Sequence, residues 1–437
     1  MIKFNFLFTL LLLGYALTAQ TALTPTEKTE LIALYKHLHA NPELSFHETE
    51  TAAHLAKEMR DLGFTVTEQV GGTGIVAVFE NGPGKTILVR TDLDALPLTE
   101  ATGLPHASKV TAVDAEGKTV GVMHACGHDM HMTVWAGTAR KLVAAKDQWS
   151  GTLVFIGQPA EERGAGARAL LADGLYENYP RPDYALALHL NATLPSGTVG
   201  YRPGYAMANV DMVDITVSGK GGHGAYPHTT LDPVLLAARI VTDLQTIVSR
   251  EISPLEAGVV TVGSIHGGAK GNVIPDQVKL ELTLRSYTDE NRNGIIEKVK
   301  RICRGTAISA GVTEEDMMPV VTVRDEHCPA LYNNQELTER VADIFVNELG
   351  AENVREVPPV MGGEDFSEYG RTNPKVPIML FWLGAVEPEK IDAAARGELR
   401  LPSLHNSAFA PDTEPTLETG VRAMSAAVLG LLKSAKF

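Results

Sequence analysis

Four short segments of the chain carry side chains of the kinds that bind divalent metal ions. In chain order they are HACGHD at 124–129, QPAEE at 158–162, LHL at 188–190 and LHN at 404–406. Together they supply a thiol, several imidazoles and a carboxylate pair, which is more than one ion needs and about right for two. Two ions that position and ionise water belong to hydrolase chemistry. The four segments therefore predict a two-metal hydrolase site.

Glu161 and Glu162 are adjacent, and this adjacency suggests different roles for them. Neighbouring side chains point in different directions, so one carboxylate can bind metal while the other faces water. We assign Glu162 as a metal ligand and Glu161 as the general base that later protonates the leaving amine. The alternative is a solvated surface pair, which two glutamates before a glycine-rich turn often form. The neighbouring metal-binding segments favour the catalytic interpretation.

Apolar runs predict the strands that must position these groups. Residues 87–89 and 153–156 are continuously apolar rather than alternating, as in strands that are buried on both faces of a parallel sheet. Amphipathic helical segments alternate with the strands, at 25–39, 48–62, 129–146 and 166–174. The pattern predicts an α/β domain with a large, mostly parallel sheet flanked by helices.

Chemically active side chains follow several predicted strands. Asp94 follows the strand at 85–90, the glutamate pair follows the strand at 151–157, and His189 ends a third strand. Because ligands bind outside the carboxyl ends of the strands in such sheets, these groups should meet at one edge.

Cys126 and His128 lie two residues apart in an extended segment, so their side chains can face the same side. They also stand at the start of a predicted helix. We expect the helix dipole to favour a thiolate at Cys126.

A second domain is predicted from about residue 207. Its elements are a strand at 210–218, a helix at 232–249, strands at 258–265 and 277–287, a helix at 289–310 and a strand at 318–324. The order β-α-β-β-α-β is that of a ferredoxin-like α+β sandwich. After it the chain returns to a helix, a strand and a closing helix. We predict a catalytic domain at 23–206 and 327–437 and an inserted lid or dimerisation domain at 207–326.

Length and charge are consistent with this organisation. At 437 residues the chain is too long for one ordinary core. A net charge of −15 argues against a nucleic-acid partner, which would need a basic stripe. It does not exclude a small anionic substrate, since local cations decide that.

Residues 1–22 read as a secretory signal peptide. Lys3 precedes an apolar run at 4–17, and small residues follow, so that cleavage after Ala19 or Ala22 is plausible. The alternative is an uncleaved membrane anchor, which needs about 20 apolar residues and stronger flanks. We expect a secreted or periplasmic protein that does not stay associated with a membrane after cleavage.

Export makes the three cysteines informative, because exported chains normally pair them. Metal binding would account for Cys126. Cys303 and Cys328 are interpreted as structural, and the sequence leaves open whether they pair.

In its metal-binding and catalytic segments the chain resembles the M20 family of metallo-aminoacylases and carboxypeptidases. The resemblance is greatest to the amidohydrolases of N-acyl amino acids, such as hippurate and auxin-conjugate hydrolases. The segments that match are RTDLDALP at 90–97, HACGHDMH at 124–131, QPAEE at 158–162, GKGGHGAYPH at 219–228, GNVIPD at 271–276, MGGEDF at 361–366, and His405. Their order and spacing cover nearly the whole chain after the signal.

The resemblance implies two divalent ions and assigns residues to them. The implied ligands are Cys126, His128, Glu162, His189 and His405. Glu161 is the implied base, and His223 the implied group that polarises the scissile carbonyl. Cysteine and histidine ligands favour zinc, while manganese, cobalt or nickel could occupy a mixed site. The native metal stays open.

Other polar residues are expected in supporting roles. Asp94 and Asp92 should orient a metal-bound imidazole or the base. Asn272 and Arg285, on neighbouring strands, could hold a substrate carboxylate, although Arg285 could also be an exposed edge charge. Gly363, in the segment 361–366, is expected to contact substrate. His124 and His131 are left out of the ligand set, and His37, His39, His47, His54 and His106 are taken as surface or core histidines.

The inserted domain also predicts a homodimer. Val213, Ile215 and Val217 share one face of the strand at 210–218, and an edge strand of this kind invites pairing with its twin. His223 would then complete the partner's site, or else reach its own site by a hinge near residues 206 and 327.

Three functions remain in competition. The leading one is an exported amidohydrolase that cleaves the amide bond of N-acyl or peptidyl amino acids. A dipeptidase or carboxypeptidase on the same scaffold would differ in the pocket around the acyl group. A metal- or peptide-binding protein without catalysis would have no need of Glu161 beside Glu162.

Overall fold

The computed structural model describes residues 21–115 and 117–433. They form two units, each made of more than one chain segment. One unit contains the described residues up to Gly204, together with Tyr332–Pro358 and the described residues from Asp365 onward. The other contains Tyr205–Leu331 and Pro359–Glu364. We call them the large unit and the small unit.

The helices are numbered in chain order. They are α1 Pro25–Ala40, α2 Thr49–Asp61, α3 His128–Ala144, α4 Gly166–Ala172, α5 Leu175–Asn178, α6 Pro233–Thr246, α7 Asp289–Ser309, α8 Gln335–Leu349, α9 Pro388–Ala395 and α10 Thr413–Leu432.

The strands are numbered in the same way. They are β1 Thr65–Val70, β2 Gly74–Asn81, β3 Lys85–Asp92, β4 Thr111–Val113, β5 Thr119–Gly121, β6 Gly151–Gln158, β7 Tyr184–Pro195, β8 Val199–Tyr201, β9 Gly204–Met207, β10 Asn209–Ser218, β11 Gly222–His223, β12 Gly258–Gly267, β13 Val273–Ile274, β14 Gln277–Ser286, β15 Val320–Cys328, β16 Leu331–Asn333, β17 Val354–Glu356 and β18 Ile378–Val386.

The large unit is built on an eight-stranded sheet in the order β1-β2-β6-β3-β7-β18-β8-β17. The four central strands β6, β3, β7 and β18 run parallel to one another. Strands β1 and β2 are antiparallel additions at one side, and β8 joins β18 antiparallel at the other. The mostly parallel sheet expected from the continuous apolar runs is confirmed.

Helices cover this sheet because the central strands are apolar on both faces. Every residue of β18 from Ile378 to Ala385 is buried. Helix α3 packs against α1, α10 and β3, and most of its residues are buried. Helix α1 begins at Pro25 because Thr24, just before it, and Glu27, in the first turn, form a capping box.

The small unit has a four-stranded antiparallel sheet in the order β12-β14-β10-β15. In chain order its elements are β10, α6, β12, β14, α7 and β15, which is the predicted ferredoxin-like arrangement. Helices α6 and α7 pack on the sheet and bury an aliphatic core. Cys303 is a free thiol within that core, and burial raises its pKa to about 12.

The prediction that residues 210–218 form an edge strand is wrong. Strand β10 lies inside the small sheet, hydrogen-bonded to β14 on one side and β15 on the other. Val213, Ile215 and Val217 are buried in the core of the small unit, so this apolar face is already covered by the unit's own helices. The edges of the sheet are β12 and β15.

The domain boundaries also differ in detail from residues 206 and 327. The chain passes between units after Gly204 and after Leu331. Pro359–Glu364, assigned to the catalytic domain from sequence, belongs to the small unit. The reason lies in its backbone, because the Val360 carbonyl accepts hydrogen bonds from the Ala208 N–H and the Tyr287 hydroxyl.

The predicted signal peptide at 1–22 lies almost entirely outside the described residues. Among the helices that are described, none is long and apolar enough to cross a membrane.

Candidate metal centre

The strand register brings three of the candidate segments to one level of the large sheet. Asp92 at the end of β3 is level with Gln158 at the end of β6. Strand β7 pairs with β3 only as far as Leu186, and His189 lies three residues further on. His189 does not end its strand as expected, because β7 continues beside β18, where His189 is level with Trp382.

Gly127 allows Cys126 and His128 to stand on either side of a sharp helix start. Its φ of 83° is left-handed, and a Cβ there would meet a methyl carbon of Leu190 at 2.4 Å. Any other residue would be strained and would clash. His128 is then the first residue of α3, and Cys126 lies just before the helix.

Hydrogen bonds set the tautomers of two imidazoles. The Nδ1 of His128 is 2.8 Å from the Asp94 carbonyl, and the Nδ1 of His189 is 2.8 Å from the Leu190 carbonyl. A carbonyl can only accept, so each Nδ1 must carry the proton. Each Nε2 therefore keeps a lone pair when the ring is neutral, as a metal ligand needs.

The thiol of Cys126 lies among the other candidate ligands. Its Sγ is 3.4 Å from the Nε2 of His189 and 3.2 Å from the Nε2 of His405. The Nε2 of His405 is in turn 3.4 Å from the Oε1 of Glu162. Two ligand groups, Cys126–His128–His189 and Cys126–Glu162–His405, each have their donor atoms within 4.8 Å of one another. Cys126 is common to both.

His405 is held in a conformation that a histidine rarely adopts. Its φ is 60°, in the left-handed region, which usually signals a constraint at a functional site. Its N–H donates to the carbonyl of Ala125 at 2.9 Å, so the backbone before Cys126 positions it.

The two glutamates converge rather than diverge. They lie in a single helical turn, Glu161–Arg163, after Ala160, which has a φ of 49°. An oxygen of each is 3.9 Å from the Nε2 of His128. Glu162 also reaches His405, whereas Glu161 does not belong to either group that contains Cys126. This asymmetry agrees with Glu162 as the ligand and Glu161 as the group beside it.

Asp94 lies where it can hold this turn. One carboxylate oxygen accepts from the Glu161 N–H and the other from the Glu162 N–H, both at 3.1 Å, and Ser45 donates to the second at 2.7 Å. Its backbone carbonyl accepts from His128. Asp94 thus connects both glutamates to the candidate ligand His128 through hydrogen bonds. It belongs to neither of the two ligand groups that contain Cys126.

Asp92 supports the site through a buried polar network. Its Oδ1 accepts from the Nδ1 of His131 at 2.8 Å, and its Oδ2 accepts from Arg90 at 2.8 Å. Arg90 also bonds to Gln158 and Asp365. Asp92 lies 3.6 Å from the Nε2 of His128. The placement agrees with an orienting role.

His131 has both ring nitrogens occupied. Its Nδ1 donates to Asp92, and its Nε2 accepts from the Leu190 N–H at 2.9 Å. Leaving it out of the ligand set agrees with these contacts. His39 and Asp365 are buried in polar networks that the sequence did not indicate, since their partners are far away along the chain.

The electrostatics of the site call for positive charge. Burial raises the pKa of the Cys126 thiol well above its usual range, and the carboxylates of Glu162 and Glu161 raise it further. This direction is opposite to the one expected from the dipole of α3, and burial is its largest cause. Burial also raises the pKa of Glu162 to about 7, with Asp94 adding to the shift.

The pKa of His128 is also raised, which for an imidazole favours the charged form. Burial alone would lower its pKa, but Asp92 and Asp94 raise it to about 10. These carboxylates therefore favour a positive charge at the position of His128. Within the described residues the buried Nε2 of His128 and Oε1 of Glu162 have no hydrogen-bond partner. These two atoms without a hydrogen-bond partner, beside a thiol and imidazoles, fit the binding of a divalent ion, which would displace the protons on these side chains.

The remaining predicted residues belong to the small unit. His223 ends β11, which pairs with β13. Asn272 directly precedes β13, so the expectation that Asn272 and Arg285 lie on neighbouring strands is wrong. Arg285 in β14 donates to the Met361 carbonyl at 2.6 Å. Gly363 packs so closely that a Cβ would meet Val210 at 2.3 Å, which accounts for the glycine by packing.

Comparisons with known proteins identify the family of the chain. The family model described as "Peptidase family M20/M25/M40" matches residues 88–428. The chain belongs to this family. It is 39% identical over 370 residues to an N-acetyldiaminopimelate deacetylase of Limosilactobacillus fermentum, covering 84% of this chain and 91% of that one.

Other M20 relatives carry different activities in their names. Over 364 residues the chain is 36% identical to thermostable carboxypeptidase 2 of Saccharolobus solfataricus, covering 82% of this chain and 87% of the relative. Its fold is similar to that of the Bacillus subtilis YXEP protein, described as a dinuclear metal-binding peptidase of the M20 family. That match has a TM-score of 0.74 and 28% identity, covering 94% of this chain and all of the other. The protein is therefore an M20 hydrolase of amide or peptide bonds.

Proposed function

We propose that the chain is a metal-dependent amidohydrolase that releases the amino acid from N-acyl amino acids. The observation that carries this is the thiol of Cys126 between the Nε2 atoms of His189 and His405, with the paired Glu161 and Glu162 beside them. Relatives named for deacetylation of an N-acetylated amino acid support the acyl-amino acid class.

The two overlapping ligand groups support a site for two divalent ions. His128 and His189 with Cys126 would hold one, and Glu162 and His405 with Cys126 the other. A solved relative of similar fold, described as dinuclear, supports the same count. Bound divalent ions lower the pKa of water from about 15.7 toward 7 and polarise a carbonyl oxygen.

The side chains would then divide the remaining work. Glu161 accepts a proton from the attacking water and delivers it to the leaving amine nitrogen. Asp94 holds the turn from which Glu161 projects.

Residues of the small unit would hold the substrate. The Nδ1 of His223 accepts from the Ala225 N–H at 3.1 Å, so a neutral ring carries its proton on Nε2 and can donate it to a carbonyl. Arg285 keeps further N–H groups besides the one bound to Met361, and with Asn272 could bind the substrate carboxylate. Gly363 packs closely on Val210, which supports a role in positioning the backbone of its segment and not a contact with substrate.

Metal removal and a substrate panel test the proposal. Protein stripped by a chelator, with its metal content checked by elemental analysis, should lose activity and regain it on addition of zinc or manganese. N-acetyl and N-benzoyl amino acids should be cleaved faster than dipeptides or longer peptides. Faster cleavage of peptides would favour the carboxypeptidase alternative, which the relative from Saccharolobus solfataricus supports. Full turnover by metal-free protein would refute the proposal.

Export is part of the proposal, and the structure bears on the cleavage point. The hydroxyl of Thr21 donates to the buried carboxylate of Glu348 at 2.7 Å, and Leu23 is buried in the core of the large unit. Cleavage after Ala19 keeps this bond, whereas cleavage after Ala22 removes it. N-terminal sequencing of the exported protein should therefore begin at Gln20. A start at Leu23 would show that the Thr21 contact is dispensable, and an intact Met1 in an unexported protein would refute export.

A further inference from the structure

His39, near the end of α1, is buried between two carboxylates. Its Nδ1 is 2.6 Å from the Oδ2 of Asp129 and its Nε2 is 3.0 Å from the Oε1 of Glu100, and all three side chains are 1% exposed or less. A neutral imidazole has one N–H and could donate to only one of them. The pair of contacts therefore requires an imidazolium that donates to both.

Asp129 connects His39 to a candidate metal ligand. It directly follows His128 in the first turn of α3. Its Oδ2 is bound by His39, and its Oδ1 accepts from the Met130 N–H at 2.8 Å. The side chain next to His128 is thus fixed at both oxygens, and the start of α3 is tied to α1.

Glu100 connects His39 to the segments that carry Cys126 and His405. The next residue, Ala101, donates its N–H to the carbonyl of Ser407 at 2.8 Å, two residues after His405. In the same loop Leu96 exchanges backbone hydrogen bonds with Met123, three residues before Cys126. All these residues belong to the large unit.

We propose that His39 is a positioning residue of the metal centre, whose positive charge holds Asp129 and Glu100 and so aligns the three segments that carry His128, Cys126 and His405. The inference rests on the proposed metal site. Without the imidazolium, two buried carboxylates would face each other with no cation between them, and the α3 start and the Glu100 loop would move apart.

The surroundings leave the charge on His39. Burial opposes that charge, but Asp129 and Glu100 outweigh it and raise the pKa of His39 to about 9. The rings that pack on His39 are Tyr35 and His106, and burial together with His39 lowers the pKa of His106. His124 is the other histidine nearby, and burial lowers its pKa to about 4.

Cobalt binding tests the inference, because a cobalt–thiolate bond absorbs light and reports on Cys126 directly. Wild-type protein, His39→Gln and His37→Gln would be stripped of metal and titrated with Co²⁺ at a temperature where circular dichroism shows each one folded. His37 is the matched control, since it lies on the same helix but is exposed and stacks on His54. We expect His39→Gln to bind Co²⁺ about tenfold to a hundredfold more weakly, which is the usual effect of mutating residues that orient metal ligands. We expect His37→Gln to bind Co²⁺ as wild type does.

A second readout separates positioning from general destabilisation. The activity of His39→Gln should recover as the free metal concentration is raised, with KM for substrate little changed. If His39→Gln does not fold, Glu100→Gln replaces it, because it keeps the His39–Asp129 pair, and it should bind Co²⁺ several-fold more weakly.

The outcomes are distinct. Wild-type affinity in folded His39→Gln, or in Glu100→Gln where that variant replaces it, overturns the positioning role alone. Failure of the wild-type protein to bind Co²⁺ at all overturns the metal centre and the inference with it.

Discussion

At the scale of single residues, Glu161 and Glu162 show how a shared turn can still give two carboxylates different neighbours. Both approach the Nε2 of His128, but Glu162 alone reaches His405. The backbone N–H groups of both glutamates donate to the carboxylate of Asp94, which holds the two residues in a fixed relation. A ligand and a base can therefore be adjacent in sequence without exchanging roles.

For Glu161→Gln we predict retained metal and lost turnover. The amide is isosteric but cannot accept a proton from water, so kcat should fall by about 10²- to 10⁴-fold. Metal content by elemental analysis and kcat on an N-acyl amino acid are the measurements. Glu398→Gln, an exposed glutamate paired with Arg396, is the control and should leave both unchanged. Near-normal turnover in Glu161→Gln would assign the base to another residue.

For Cys126→Ser we predict weaker metal binding. A hydroxyl is a harder and far less acidic metal ligand than a thiol. The Sγ of Cys126 is the ligand atom that both groups share. Chelator competition should show the loss, with Cys303→Ala as the control because that thiol lies in the core of the small unit. An unchanged metal affinity would remove Cys126 from the ligand set.

At the scale of elements, buried charges join helices and loops that are distant in sequence. His39 connects α1 to the first turn of α3 and to the Glu100 loop. Arg90 and Gln158, on β3 and β6, both bond to Asp365, which the chain supplies from a much later segment. Such contacts make the geometry of the strand ends depend on several elements at once.

The imidazolium of His39 predicts a loss of stability at alkaline pH. Its pKa is about 9 in the folded protein and near 6.5 when unfolded, so its contribution is complete below about pH 6.5 and is lost as pH rises through 9. This difference between the two pKa values corresponds to a contribution to the free energy of unfolding on the order of 3 kcal/mol. Urea unfolding at pH 6, 8 and 10 should show the decline.

His39→Gln is the control for this pH dependence. In that variant the free energy of unfolding should be lower at pH 6 and should fall less steeply toward pH 10. Parallel curves for the two proteins would contradict the assignment of the proton to His39.

At the scale of the whole molecule, the proposed ligands lie in the large unit and His223 lies in the small unit. The strand thought to pair two copies is an interior strand, so that argument for a homodimer no longer holds. Strand β12 is an edge of the small sheet, with Ile265 exposed on it. A homodimer remains a proposal, and the two edge strands of the small sheet, β12 and β15, are the strands that could pair with a second copy.

Mixing two inactive variants tests how His223 acts. If one copy serves the site of the other, a dimer of Glu161→Gln and His223→Ala chains contains one intact site and should recover a measurable part of wild-type activity. Sedimentation must first establish that dimers form, and differently tagged chains that mixed dimers form. Mixed dimers as inactive as their parents would exclude sharing between copies and leave His223 acting on its own chain.

Much of the fold was predictable because it follows from local patterns. Continuous apolar runs predicted the central parallel strands, and the β-α-β-β-α-β order predicted the ferredoxin-like unit. The segments that carry the candidate ligands were identifiable from their cysteine, histidine and paired glutamate residues, and the ligand set itself was implied by the resemblance to the M20 family. The roles assigned to them stay predictions.

Only the tertiary structure decided what depends on partners far along the chain. Residues 210–218 look alike whether they form an edge or an interior strand, and the pairing with β15 decides which. The sequence around His39 shows no partner for it, because the packing of α1 on α3 brings Asp129 to it and a separate loop brings Glu100. Residue types and spacing determined the chemistry that is available, whereas long-range packing determined which groups meet and how their charges balance.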